Sequence, residues 1–390
     1  MRFLHTADFH ASAFLYGMSR DEELSRLLEE LYNAALEEKV EFLIVAGDIF
    51  ENPLPSHASQ KLVFDFFTRI SKAGIKTVMV SGNHDGQALE PLKNILGIAN
   101  IYIFGKPSSE NFLNLTDKKG ENVKFFGLPY PSERLVFKML TAQDDNKGDY
   151  VQQVNNLLRY ADAQFNPNEM GIFIAHLFMD EAKLGNDKEN ENMYRESALN
   201  RKIYSIPGQL LPKNVAYTAL GHIHIPQQIK SAPAKAYYSG SPYLSNFFEE
   251  GIQKGFYIVD IDLSQRFVDV KFRPFEGVTQ LYNVTLNKDN YAQLLDKYDQ
   301  ACYIKVMLED GIKYYGLTNE IREKYPQVLK INVPELKEEE DEAATLGIEE
   351  VAKTDLENIL SIYQKFDPSV TEDILAKVKA YYLEVNGHAD

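Results

Sequence analysis

The sequence predicts an α+β fold, a two-sheet sandwich flanked by helices, with a small α+β domain and a C-terminal helical pair appended. Three observations carry that reading. Short apolar runs of strand length recur through the first 275 residues, amphipathic helical patterns separate the earliest of them, and a second group of β-rich segments lies between Ala236 and Asp262. A chain of 390 residues, 44% hydrophobic and 25% charged, can bury a large core and still carry an appendage. No apolar run approaches the ~20 residues of a membrane helix. Met1-Arg2-Phe3-Leu4 leads straight to Asp8 with no export signal, so a cytoplasmic protein with no membrane contact is expected. The single Cys302 fits a reducing compartment and reads as a small buried residue.

In chain order, Phe3 to Ala7 reads as a strand. Glu22 to Glu38 places Leu24, Leu27, Leu28, Leu31, Ala34 and Ala35 at helical spacing, and Phe42 to Ala46 is the next strand. Ser59 to Lys72 is a second helix that stops at Gly74, ahead of the strand Val78-Met79-Val80. Ile172 to Ala175 and Ala216 to Leu220 are strands, whereas Lys183 to Arg201 has no apolar period and reads as a surface loop or lid. Tyr237-Tyr238 and Phe256 to Val259 belong to a second sheet packed on the first. Beyond Arg273-Pro274 a βαββαβ-like alternation runs to Val333. An acidic stretch containing Glu338 to Glu342 reads as a solvated linker, because clustered like charges resist packing. Thr354 to Lys365 and Thr371 to Leu383 form two helices, each with one apolar face and little core of its own to bury it, which points to a partner protein. The expected divisions are 1–275, 276–335, 336–353 and 354–390.

Residues able to bind metal stand at the ends of five strands. They are Asp8 and His10, Gly47-Asp48, Gly82-Asn83-His84-Asp85, His176, and Gly221-His222-Ile223-His224. Each motif alone is ordinary: a Gly-Asp pair is a turn, and a histidine closing an apolar strand is usually a satisfied core residue. The set is different, because five of the eight histidines fall in these motifs and strand ends in open sheets converge on a common crevice. His5, His57 and His388 lie outside the pattern and read as structural or solvated.

This ordered set resembles the calcineurin-like metallophosphoesterases. Three further segments are similar to the SbcD-type DNA repair nucleases within that superfamily: Gly47-Asp48-Ile49-Phe50 followed by Pro53 and Pro55, Gly221 to Gln227, and Tyr238-Ser239-Gly240-Ser241-Pro242. The resemblance implies that Asp8, His10, Asp48 and His224 hold one divalent ion, and Asp48, Asn83, His176 and His222 a second, with Asp48 bridging. Mixed imidazole, carboxylate and amide ligands suit Mn²⁺, Fe²⁺ or Zn²⁺, and Mn²⁺ is the expected metal. The resemblance gives His84 to the substrate, as the group that binds the scissile phosphate and protonates the leaving oxygen. Asp85 either orients His84 or braces its loop. Two positions depart from the family pattern: Glu51 stands where archaeal and eukaryotic relatives have a histidine, and Ile225 where bacterial relatives are often basic.

A net charge of −16 excludes broad nonspecific adhesion to nucleic acid, yet bound cations at a cleft offset it locally. The resemblance then implies a Mn²⁺-dependent nuclease subunit with 3′ to 5′ exonuclease activity on duplex ends and endonuclease activity on single strands and hairpins. It also implies a capping domain that guides DNA, with Lys254, Lys271 and Arg273 as phosphate contacts. A coiled-coil ATPase of the SbcC type is the expected partner of the terminal helices, and homodimerisation is expected through Ser59 to Lys72 and Glu90 to Leu96. A phosphatase or small-molecule phosphodiesterase, and a catalytically silent scaffold, are the competing classes.

Overall fold

The computed structural model describes residues 1–85, 88–135, 150–166, 168–185, 204–262, 264, 267–309 and 316–333. The acidic linker, the terminal helical pair and most of the loop expected over Lys183 to Arg201 lie outside these residues. Met1–Pro334 forms one compact unit. Its elements begin with β1 (Arg2–Thr6), the short hairpin β2 (Phe14–Leu15) and β3 (Met18–Ser19), α1 (Asp21–Glu37), β4 (Phe42–Ala46), α2 (His57–Lys72) and β5 (Lys76–Val80). There follow α3 (Lys93–Ile98), β6 (Ile101–Phe104), β7 (Phe112–Thr116), β8 (Asn122–Leu128), α4 (Tyr150–Gln164), β9 (Met170–His176) and β10 (Tyr217–Gly221). The sandwich closes with β11 (Gln227–Gln228), β12 (Lys235–Tyr238), β13 (Gly255–Asp262) and β14 (Phe267–Pro274).

Two six-stranded sheets result, ordered β14-β13-β1-β4-β5-β6 and β11-β12-β10-β9-β8-β7. β1, β4, β5 and β6 run parallel, as do β8, β9, β10 and β12. Side chains alternate across each strand, and the core follows that period. In β4, Phe42, Ile44 and Ala46 enter the layer between the sheets, where they join Phe125, Ile172, Ile174 and Tyr217, while Leu43 and Val45 face outward. That outer face is covered by α1 and α2 through Leu24, Leu27, Leu31, Val63 and Phe67. On the other side, Val154 and Leu158 of α4 cover Phe126, Phe173 and Leu220. The α1 pattern expected from Glu22 is displaced by one residue, and α2 starts two residues before Ser59, because Ser56 Oγ accepts the Ser59 N–H at 3.1 Å and caps the helix.

Beyond the sandwich, β15 (Leu281–Leu286), α5 (Tyr291–Leu295), β16 (Tyr303–Leu308), α6 (Leu317–Lys324) and β17 (Val328–Asn332) form a three-stranded parallel sheet with its crossover helices. Among the described residues the order is therefore βαβαβ, which corrects the βαββαβ-like expectation, since parallel neighbours require a crossover between each pair. Its own core contains Val284, Ile304, Val306 and Ile321, with Cys302 buried beside them. Leu281 also packs with Leu15, Leu244 and Phe247 of the sandwich, and Glu30 Oε atoms accept the backbone N–H groups of Glu276 and Gly277 at 2.8 and 2.7 Å.

Candidate metal centre

The parallel strands β1, β4 and β5 of one sheet and β9 and β10 of the other end at a common edge, and the five motifs meet there. Asp8 N–H donates to Gly47 O (2.9 Å) and His10 N–H to Asp48 O (3.0 Å), so the loops after β1 and β4 continue the pairing of their strands. Asp8, His10, Asp48 and His222 all adopt positive φ, at 54°, 45°, 46° and 101°. Backbone strain of that kind costs ~1–3 kcal/mol per residue and persists where surrounding structure over-determines it, typically at functional sites. Two glycines allow the approach. Gly47 sits at φ 102°, where a Cβ would lie 2.1 Å from His176 Nδ1, and a Cβ on Gly221 would lie 1.8 Å from Ala46 O.

Three groups of potential ligand atoms lie within 4.8 Å of one another: Asp8, His10 and His224; Asp48, His176 and His222; and His10, Asp48 and His84. Asp48 Oδ2 stands between the first two, 3.7 Å from His10 Nε2 and 3.2 Å from His176 Nε2. Asn83 Oδ1 completes the second group at 3.0 Å from His176 Nε2 and 2.9 Å from His222 Nδ1. The seven residues expected as ligands are thus brought together, and His84 lies beside them.

The donor set fits cations. His176 Nδ1 faces Ala46 O at 2.9 Å and so carries the proton in the neutral ring, leaving the Nε2 lone pair directed at two oxygens, Asn83 Oδ1 and Asp48 Oδ2. His10 Nδ1 faces Glu51 Oε2 at 2.7 Å and His224 Nδ1 faces Glu249 Oε1 at 3.5 Å, so their Nε2 lone pairs meet at 3.1 Å. Converging lone pairs repel unless a proton or a metal ion lies between them. Without a metal, a proton takes that place. Burial opposes charge on His176, but Asp48 and Asp8 outweigh it and push its pKa up to about 9. Burial raises the Asp8 pKa. Burial pushes Asp48 the same way, but His176 and His10 more than offset it and hold its carboxyl far below the usual carboxylate range. Burial and the neighbouring His176 lower His222 to about 3.

Asp85 braces the site. Its carboxylate accepts the N–H groups of Ile49 (3.1 Å), Phe50 (2.8 Å) and Gly82 (2.9 Å), joining the loops after β4 and β5. His84 Nδ1 donates to Glu51 O at 2.8 Å, which leaves its Nε2 free for another partner. Glu51 therefore contacts both His10 and His84, through its side chain and its carbonyl.

Lys254 does not occupy the surface position expected of a DNA contact. It is 1% exposed, and its ammonium donates to Glu249 Oε2 (2.7 Å), His224 O (2.7 Å) and Ser241 Oγ (3.0 Å). Burial pushes the Glu249 pKa up, but Lys254 and His224 more than offset this and hold it at about 2. Sequence reading missed Glu249, whose signal was a Glu five residues before a Lys in a segment rich in apolar residues. Arg273 pairs with Glu37 at 2.8 Å, and Glu38, its second partner, also binds Arg2 at the start of β1, so its guanidinium reaches toward the sheet end opposite the ligands. Lys271 is exposed and paired with Asp269 at 3.3 Å. Ile225 packs on the second sheet's outer core. The Tyr238–Pro242 segment is scaffolding: Tyr238 OH donates to Leu177 O and accepts from Met179 N–H, fixing the loop after His176, and Ser241 N–H donates to His224 O at 3.2 Å. His5 is buried beneath the site, 2.9 Å from Tyr217 OH, as a structural histidine.

Comparison with known proteins agrees with this geometry. The sequence profile of the calcineurin-like phosphoesterase family matches residues 1–226, a span that contains every residue of the cluster except Glu249. Curated relatives include the SbcD subunit of nuclease SbcCD from Bacillus subtilis, 30% identical over 302 residues, covering 73% of this chain and 75% of the relative. The corresponding subunits from Rhodobacter capsulatus (27% identical, covering 67% of this chain and 66% of the relative) and Staphylococcus epidermidis (23%, covering 97% and 96%) also match. Among solved structures, a dimetal phosphatase from Danio rerio aligns over 70% of this chain and 96% of its own at 14% identity and a TM-score of 0.38. With the family profile spanning the ligand motifs and an SbcD relative at 30% identity across three quarters of its length, the chain belongs to the calcineurin-like phosphoesterase family, in its SbcD-type branch.

Proposed function

We propose that the protein is a metal-dependent DNA nuclease subunit that hydrolyses phosphodiesters with two Mn²⁺ ions, one held by Asp8, His10, Asp48 and His224 and the other by Asp48, Asn83, His176 and His222. The observation that carries this reading is Asp48 Oδ2 lying between His10 and His176, the position of a bridging carboxylate. When bound, the ions would supply positive charge to the phosphate and lower the pKa of a water. The chain's own residues do the rest. Glu51 aims the His84 imidazole with Nε2 outward, and that nitrogen donates a hydrogen bond to the phosphate and a proton to the leaving oxygen. Two carboxylates leave two divalent ions with excess positive charge, which favours an anionic diester over a neutral substrate.

Exonuclease action on duplex ends and endonuclease action on single strands and hairpins follow from the similarity to SbcD subunits, as does an SbcC-type ATPase partner for residues 354–390. Residues 276–335 are read as the DNA-guiding domain. For a homodimer, α3 is the better candidate surface, because Ile95 and Ile98 are 67% and 87% exposed, whereas the apolar face of α2 is core. The test is to strip the protein with chelator and assay linear duplex DNA, a DNA hairpin and a chromogenic diester with Mn²⁺, Mg²⁺ or Zn²⁺. Degradation of DNA with Mn²⁺ is expected. Cleavage of the chromogenic diester alone would favour a small-molecule phosphodiesterase instead.

A further inference from the structure

A cavity of about 370 Å³ opens beside the ligand cluster. Four aromatic side chains, Tyr130, Tyr150, Phe178 and Tyr204, line it together with His222 and two aliphatic residues. Its size falls at the small end of ligand pockets, which span roughly 300–1,000 Å³. Neither the metal cluster nor the core explains this concentration of rings.

His222 is the wall shared by cavity and metal cluster. Its Nδ1 faces Asn83 Oδ1 at 2.9 Å on the cluster side, while its ring stacks on Tyr130 at 5.7 Å and 28° and lies 5.8 Å from Phe178. An occupant of the cavity is therefore separated by one imidazole from a phosphate bound at the cluster. Opposite, Tyr150 and Tyr204 meet edge to face at 5.2 Å and 83°, which holds both rings in place before any ligand arrives. Among the described residues no lysine or arginine lines the cavity, and the Glu133 carboxylate accepts the Tyr204 hydroxyl at 3.3 Å. That environment rejects a second phosphate and suits a flat, uncharged, aromatic group with polar edges.

We infer that this cavity holds the unstacked base of the nucleotide whose phosphate sits at the metal cluster. The inference rests on the nuclease reading and adds a requirement to it: the reacting nucleotide leaves the base stack. Frayed duplex ends, single strands and hairpin loops surrender a base at least cost, and stacking on aromatic rings is tolerant of sequence because every base has a π-face. Tyr130 and Tyr204 are then binding residues for the base, and His222 serves both sides.

The test compares binding of deoxyadenosine monophosphate and 2-deoxyribose 5-phosphate to the full-length, Mn²⁺-loaded protein by calorimetry. The base-bearing ligand should bind about tenfold more tightly. Tyr204→Leu should bring that ratio near one, and Tyr204→Phe should keep it, with circular dichroism reporting whether each variant is folded. Equal affinity of the wild type for the two ligands overturns the inference. Duplex and single-stranded DNA are assayed in parallel, so the two readings fail separately: a base preference without DNA cleavage sinks the nuclease reading alone, and cleavage without a base preference sinks the pocket alone.

Discussion

At the scale of single residues, the site depends on groups that hold the ligands as much as on the ligands themselves. Lys254 and Glu249 are a buried ion pair behind His224, and losing one partner of such a pair strands a charge. Lys254→Met should cost ~3–5 kcal/mol in urea unfolding, and adding Glu249→Leu should recover much of the loss. An unchanged midpoint for the single variant would show that the pair carries no such burden. His84 bonds to the Asp48 carboxylate through its backbone N–H and to the Glu51 carbonyl through Nδ1, so both anchors leave Nε2 to the substrate side. His84→Ala should retain Mn²⁺ binding and reduce turnover by roughly 10²–10⁴-fold; single-turnover rates equal to wild type would remove His84 from the chemistry. Histidines, aspartates and their order could be read from the sequence. Glu249 could not, because a buried carboxylate is recognised only by the ammonium and imidazole packed on it.

At the scale of elements, two sheets must approach closely enough for ligands from both to share one centre. Gly221 at the end of β10 touches Ala46 O at the end of β4, and no other residue type leaves that gap open. Gly221→Ala must push the strand ends apart, with an expected overpacking loss of ~1–3 kcal/mol and weaker metal binding. Chemical denaturation together with a Mn²⁺ titration checks both effects, and wild-type values in both would contradict the contact. The strands and the helices α1 and α2 were legible because period 2 and period 3.6 are strong local signals. The hairpin β2–β3, strands β6 to β8 and helix α4 were not anticipated. Their segments are interrupted by polar residues or, like β7, are only partly buried, so the local pattern is weak.

At the scale of the whole molecule, binding of metal, proton and partner are linked. In the metal-free protein His176 is raised to about 9 from an ordinary 6.5, so its contribution to stability is full below pH 6.5 and is lost as pH rises through 9. A metal must displace that proton. Calorimetric Mn²⁺ titrations in buffers of different ionisation enthalpy should detect proton release near pH 7, with apparent affinity rising toward pH 9. Mn²⁺ at 100 times its Kd should stabilise the fold by about 2.7 kcal/mol per site. Absence of proton release would argue that His176 stays protonated and does not ligate. Truncation after Lys353 should abolish binding of the ATPase partner in a pull-down and leave basal DNA cleavage intact; retained partner affinity would refute the assignment of the terminal helices.

The sequence by itself determined the two-sheet class, the positions of the ligand-bearing strands and the identity of the ligand residues, because periodicity and metal chemistry are local properties written in residue type and spacing. Only the tertiary structure decided that Lys254 is a brace rather than a DNA contact and that Arg273 reaches away from the site. It alone brought Tyr130, Tyr150, Phe178 and Tyr204 around one cavity, since burial and convergence depend on which distant strand ends meet.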